Sequence, residues 1–148
     1  MAEHDVRPMS DWGFRAMALT YKLIDIFSGA DKKMARLPLE PGITVVDYAC
    51  GPGRYALEIA RRVGPAGRVY AVDIQPLAIS MVRDKAKHAG LTNLEPVLVK
   101  AYDTDLPDGC ADLVCLLDAF HDIRDRQALL REIRRLVKDT GTFILEPG

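Results

Sequence analysis

Thr44-Val45-Val46-Asp47-Tyr48-Ala49-Cys50-Gly51-Pro52-Gly53-Arg54-Tyr55-Ala56 is the stretch around which this chain is organised. Its β-branched opening reads as a strand and its two glycines as a tight turn. Arg54 to Val63, with Leu57, Ile59, Ala60 and Val63 apolar, reads as a helix. A strand, a glycine turn and a helix N-terminus in that order present backbone N–H groups to a ligand, because Gly51 and Gly53 carry no Cβ to hold it away. Loops of this kind serve several nucleotide-binding families, and Gly51-Pro52-Gly53-Arg54-Tyr55-Ala56 also satisfies the dinucleotide fingerprint G-x-G-x-x-G/A. Asp47 helps to separate the readings. A carboxylate just ahead of the loop suits a cationic amine and meets no obvious need of a pyrophosphate.

Outward from that stretch the chain alternates. Arg68 to Asp73 reads as a second strand, Pro76 to His88 as a helix, and Glu95 to Lys100 as a third strand. Leu113 to Leu117 is a nearly continuous apolar run, as an inner parallel strand requires. Arg126 to Val137 is the next helix, Lys138 to Gly141 a turn, and Thr142 to Leu145 a fifth strand. Upstream, Ser10 caps an amphipathic helix from Asp11 to Phe27, followed by a short helical piece, Lys32 to Leu37. Such alternation predicts an α/β, doubly wound, mostly parallel sheet with right-handed crossovers.

Composition narrows the function. The chain has 148 residues, enough for one domain: a helical segment over 1–40 and a binding core over 41–148. Lys plus Arg is 20 and Asp plus Glu is 21, so the overall balance favours neither nucleic acid nor an anionic membrane as partner. A small molecule is expected instead. No apolar run is long enough for membrane insertion and no signal-like core follows Met1 to Arg7, so a cytoplasmic setting is expected. Cys50, Cys110 and Cys115 lack metal-site spacing, and no metal is expected. Asp73 follows Gly53 at the spacing where an acid accepts from ribose hydroxyls, under either nucleotide reading.

The first motif resembles that of the class I S-adenosylmethionine-dependent methyltransferases: an acid late in the first strand (Asp47), then small residues at alternate positions (Ala49, Gly51, Gly53). Ala49 stands where the family usually has glycine. The passage Asp103-Thr104-Asp105-Leu106-Pro107 to Leu117 is similar to the family's route from adenine loop to fourth strand. The resemblance implies S-adenosyl-L-methionine as cosubstrate and S-adenosyl-L-homocysteine as product. It implies Asp47 near the methionine amine, Asp73 on the ribose, Ile74 against adenine, and Asp103 or Thr104 at its exocyclic amine. An ungapped alignment would put Tyr102 in the place of Asp103. Asp118 and His121, beyond the fourth strand, would face the transferred methyl, with His121 a candidate base. The helix before the first strand would act as a lid, with Trp12, Arg15, Tyr21 and Lys22 as its polar or aromatic candidates.

The resemblance also implies a Rossmann-like sheet of order 3-2-1-4-5. The family continues with a helix and two more strands, so the fifth-strand edge is expected to be covered either by a longer polypeptide or by a homo-oligomeric partner. Two other readings stand beside methyl transfer to a small-molecule acceptor: an NAD-dependent oxidoreductase, and a non-catalytic cosubstrate-binding or interaction domain.

Overall fold

The structure, a computed structural model, describes residues 6–28, 30–120 and 123–147. In chain order the elements are α1 (Asp11–Ser28), α2 (Ala30–Met34), β1 (Thr44–Tyr48), α3 (Ala56–Val63), β2 (Arg68–Asp73), α4 (Pro76–His88), β3 (Leu94–Leu98), β4 (Ala111–Leu117), α5 (Arg126–Leu136) and β5 (Val137–Glu146). All strand pairings are parallel and the order is β3-β2-β1-β4-β5. The chain starts at the central strand, works outward to β3, and returns to the other side of β1 through β4. The reversal therefore lies between β1 and β4, where a crevice opens at the strand carboxyl ends.

Side-chain alternation divides the core in two. Val45, Leu113, Cys115 and Leu117 pack with α3 and α4 through Ile59, Val63 and Val82. Val46, Val114 and Leu116 pack with α5 through Leu129, Ile133 and Leu136. Strands covered on both faces need apolar residues at successive positions, and β4 is buried at Leu113 through Leu117. Asp112, at the start of β4, accepts from Thr44 N (2.9 Å) and Lys138 Nζ (2.9 Å), so it joins β1 to β5 at the end away from the crevice.

β5 is longer than its apolar content predicts. Ala111 pairs with Val137 and Leu113 with Thr142, so Lys138 to Gly141 bulges from the strand instead of ending the helix in a free turn. Gly141 makes the bulge possible, since a Cβ there would stand 2.8 Å from Val137 Cγ2 and 3.0 Å from the Asp112 carbonyl oxygen. The second helical piece also differs from expectation. It ends at Met34, and turn bonds from Arg36 N to Lys33 O and from Leu37 N to Met34 O carry the chain onward.

Candidate functional site

The carboxyl ends of β1, β2 and β4 open into a cavity of about 510 Å³, within the usual range for small-molecule sites. Asp47, Tyr48, Ala49, Cys50 and Gly51 form its floor, with Asp73 and Ile74 on one side and Leu117 and Asp118 on the other. Phe14, Met17 and Tyr21 of α1 contribute a further wall.

Asp47 is 1% exposed, and its Oδ2 is buried without a hydrogen-bond partner among the described residues. Burial, reinforced by the neighbouring Asp73 charge, pushes its pKa up to about 7. An unsatisfied buried carboxylate oxygen is costly to the fold, and such a cost is offset when a ligand brings a donor. After Asp47 the chain turns through Ala49 at φ 60. That left-handed conformation is strained for alanine, which explains the motif's preference for glycine there. Cys50 N donates to Val72 O (3.0 Å) and fixes the turn against β2. The Cys50 thiol is buried, and burial together with Asp47 pushes its pKa up, which leaves it a packing residue rather than a reactive one.

Gly51 and Gly53 serve different ends. Gly51 lines the cavity, and a Cβ there would meet open space. Gly53 lies outside the cavity lining; its φ of 85 and a 3.0 Å approach to Val82 Cγ2 let the turn pack on α4. Lys85 of α4 donates to Pro52 O (2.7 Å) from a partly buried position, and that burial pushes its pKa down. Asp73 closes the loop from the other side. Its Oδ2 accepts from Gly51 N (2.8 Å) and its Oδ1 from Gln75 N (2.9 Å). Burial raises the Asp73 pKa, and these bonds oppose the rise.

Asp118 sits just past β4 at φ 61 and accepts from three side chains. Lys33 reaches its Oδ1, while Tyr55 Oη (2.7 Å) and Arg54 (3.1 Å) reach its Oδ2. The Arg54 guanidinium also lies 4.9 Å from the Tyr21 ring centre and 5.1 Å from that of Tyr55. One carboxylate therefore gathers α1, α2, the glycine loop and β4. Arg54 and Tyr55 lie inside the glycine motif itself, but a sequence reading fixed on the glycines passes over them. Gln75, next to Ile74, lines the cavity, is buried, and donates to Asp11 of α1 (3.3 Å), a link across to the first helix that its place in the sequence does not announce.

Other candidates lie elsewhere. Asp103 is exposed and outside the cavity lining. Thr104 is buried, but its N–H and hydroxyl both donate to Glu132 of α5 (3.0 and 2.7 Å), a packing role. Tyr102 lines the cavity in their place, together with Val99 and Ala101 just before it, and is held by the Tyr48 hydroxyl at its carbonyl and by Asp125 N at its own hydroxyl. Of the lid candidates Tyr21 lines the cavity, whereas Trp12, Arg15 and Lys22 face outward. His121 lies outside the described residues.

An open parallel sheet with a glycine turn, a buried acid before it and a second acid at the neighbouring strand end defines a nucleoside-binding α/β protein. The family profile described as "Methyltransferase domain" matches residues 39–147, and the chain belongs to that family, the class I S-adenosylmethionine-dependent methyltransferases. It is 29% identical over 111 residues to a demethylmenaquinone methyltransferase of Geobacillus kaustophilus, covering 75% of this chain and 47% of that one. A demethylmenaquinone methyltransferase of Listeria welshimeri is 29% identical over 108 residues, 73% of this chain and 46% of its own. The chain thus spans about half the length of the curated relatives it matches. Among solved structures, a SAM-dependent methyltransferase from Aquifex aeolicus superposes with TM-score 0.76 at 26% identity, covering 86% of this chain and 70% of that one. The putative methyltransferase of Haloferax volcanii, solved with the Trm112 methyltransferase activator, gives TM-score 0.75 at 28% identity, covering 95% and 60%.

Proposed function

We propose that this chain binds S-adenosyl-L-methionine and transfers its methyl group to a small-molecule acceptor, releasing S-adenosyl-L-homocysteine. The observation that carries the reading is Asp47: a buried acid with an unmatched oxygen, set beside a turn whose Gly51 leaves space for a ligand. Asp47 would take the methionine ammonium. Asp73, with both oxygens aimed by Gly51 N and Gln75 N, keeps lone pairs for the ribose hydroxyls, and Ile74 offers an apolar face to the base.

Bound, the cosubstrate supplies a methyl group already activated by its sulfonium. The protein's work is then to position the acceptor in line and to exclude water. Asp118, held by Lys33, Arg54 and Tyr55, is assigned an orienting role at the wall of the cavity, since its oxygens are already committed to three donors. His121 remains the proposed base where the acceptor must lose a proton.

Phe14, Met17 and Ile123 among the lining residues suit an acceptor with an apolar body. The Geobacillus and Listeria relatives are named for such an acceptor, demethylmenaquinone. We also keep as proposals a cytoplasmic setting and self-association along the outermost strand β5, where Leu145 is 40% exposed. Among the described residues no helix is long and apolar enough to cross a membrane.

Calorimetric titration with S-adenosylmethionine, S-adenosylhomocysteine and NAD tests the cosubstrate, and transfer of labelled methyl to a metabolite extract tests the activity. Binding of both adenosyl compounds without comparable NAD binding is expected. Tight NAD binding would overturn the reading. Cosubstrate binding without any labelled product would reduce the chain to a binding domain.

A further inference from the structure

Helix α1 is apolar on two opposite sides. At about 100° per residue, Phe14, Met17 and Tyr21 share the side that lines the cavity. Trp12, Ala16, Leu19 and Leu23 fall within about 60° of one another on the other side. That outer stripe is uncovered: Trp12 is 81%, Leu19 59% and Leu23 53% exposed. Buried packing explains the first stripe and leaves the second unexplained, because solvent-facing positions of a surface helix are ordinarily polar.

The charges beside the outer stripe indicate what covers it. Arg15 and Lys22 flank it along one edge, both exposed and neither ion-paired among the described residues. Lys22 instead stands near a like charge, Lys85. Asp11, the acid at the start of the helix, is engaged by Gln75. A second copy docked antiparallel through the stripe would lay two such cationic edges side by side, a repulsive arrangement. An anionic bilayer surface offers the complement, with lipid tails for Trp12, Leu19 and Leu23 and headgroups for Arg15 and Lys22.

We infer that the outer face of α1 docks on an anionic lipid surface, so that the wall of the cavity rests against the membrane. The overall charge of −1 gives no hint of this, because the feature lies in the placement of a few side chains. The inference stands on α1 alone and does not require the methyl-transfer reading.

Trp12 is the only tryptophan of the chain, so its emission reports the docking directly. Vesicles of phosphatidylcholine alone and of phosphatidylcholine with phosphatidylglycerol would be titrated into the protein and then sedimented. A blue shift and co-sedimentation with the anionic vesicles are expected, weakened by salt. Leu19→Ser with Leu23→Ser should abolish both, and the separate pair Arg15→Glu with Lys22→Glu should weaken binding about tenfold or more while leaving circular dichroism unchanged. Absence of a shift, or equal partition into both vesicle types, overturns the proposal. So does a lipid-free dimer in light scattering that the leucine pair dissolves, since that assigns the stripe to a second copy. Calorimetric titration with S-adenosylmethionine judges the functional reading separately, because none of these four residues lines the cavity.

Discussion

Gly51 N donates to Asp73 Oδ2 at 2.8 Å across 22 residues of sequence, and this bond locks the glycine loop to the end of the neighbouring strand. Loop and acid are therefore one unit, and a change at Asp73 reaches the floor of the cavity.

Replacement of Asp73 should consequently act twice. Asp73→Ala removes the acceptor of Gly51 N and Gln75 N together with the proposed ribose contact. Cosubstrate affinity should fall roughly ten- to hundredfold, as expected for a charged acceptor worth ~1.5–3 kcal/mol. Asp73→Asn should rescue little, because both existing partners are donors and the new amide turns a donor toward one of them. Calorimetry on the two variants decides the matter; wild-type affinity in either would remove Asp73 from the site.

The proposed role of Asp47 sets binding against stability. Its carboxyl titrates at about 7 in the folded chain against 3.8 ordinarily, so the native state holds a proton that the unfolded state releases in that window. Stability is full below the lower value and falls as pH rises through the upper one, by roughly 4 kcal/mol in all at ~1.36 kcal/mol per unit. Asp47→Asn should therefore raise the urea midpoint at pH 8, with the gain shrinking toward pH 4, while cosubstrate binding collapses. In the wild type, affinity should rise about fivefold from pH 6 to pH 7 as Asp47 ionises, and the asparagine variant should lack that rise. A flat wild-type profile would contradict the assignment of Asp47 to the ammonium.

Ala49 is the simplest case of relieved strain. At φ 60 its methyl costs ~1 kcal/mol or more relative to glycine, partly returned by the greater freedom of glycine when unfolded. Ala49→Gly should leave the chain equal in stability or up to ~1 kcal/mol better, whereas Ala49→Val should lose more than that. Chemical denaturation reads both; a destabilised glycine variant would show that the alanine methyl is needed for packing.

Asp118 is tested by a double-mutant cycle. Asp118→Ala leaves Lys33 and Arg54 facing each other without their shared anion, at a cost of about 2 kcal/mol after allowing for the partial exposure of Lys33. Adding Lys33→Met should restore part of that loss. Additive effects in the cycle would mean that the contact carries no coupling.

Much of this architecture was legible because its punctuation is chemical. Pro76 opens α4 and the run from Gly64 to Gly67 precedes β2, so those elements run as read, at Pro76–His88 and Arg68–Asp73. β5 was misjudged because Lys138-Asp139-Thr140-Gly141 is polar enough to pass for a turn, while the register of β4 draws it into the strand as a bulge. The loop after β3 turns on a single residue: backbone geometry brings Tyr102 to the cavity and leaves Asp103 outside, which composition does not encode. The helix before the first strand is half legible. Polar or aromatic character proposes Trp12, Arg15, Tyr21 and Lys22 alike, but of these the helix turns Tyr21 into the cavity lining and leaves Trp12, Arg15 and Lys22 exposed.

The Lys33–Asp118 pair joins positions 85 residues apart, so this tie between α2 and the sheet forms only once β4 lies beside β1. Closing so long a loop before its reward arrives is entropically slow. That ion pair is thereby among the later contacts to form, after the core packing of Met34 and the Gln75–Asp11 bond, which span shorter stretches of chain.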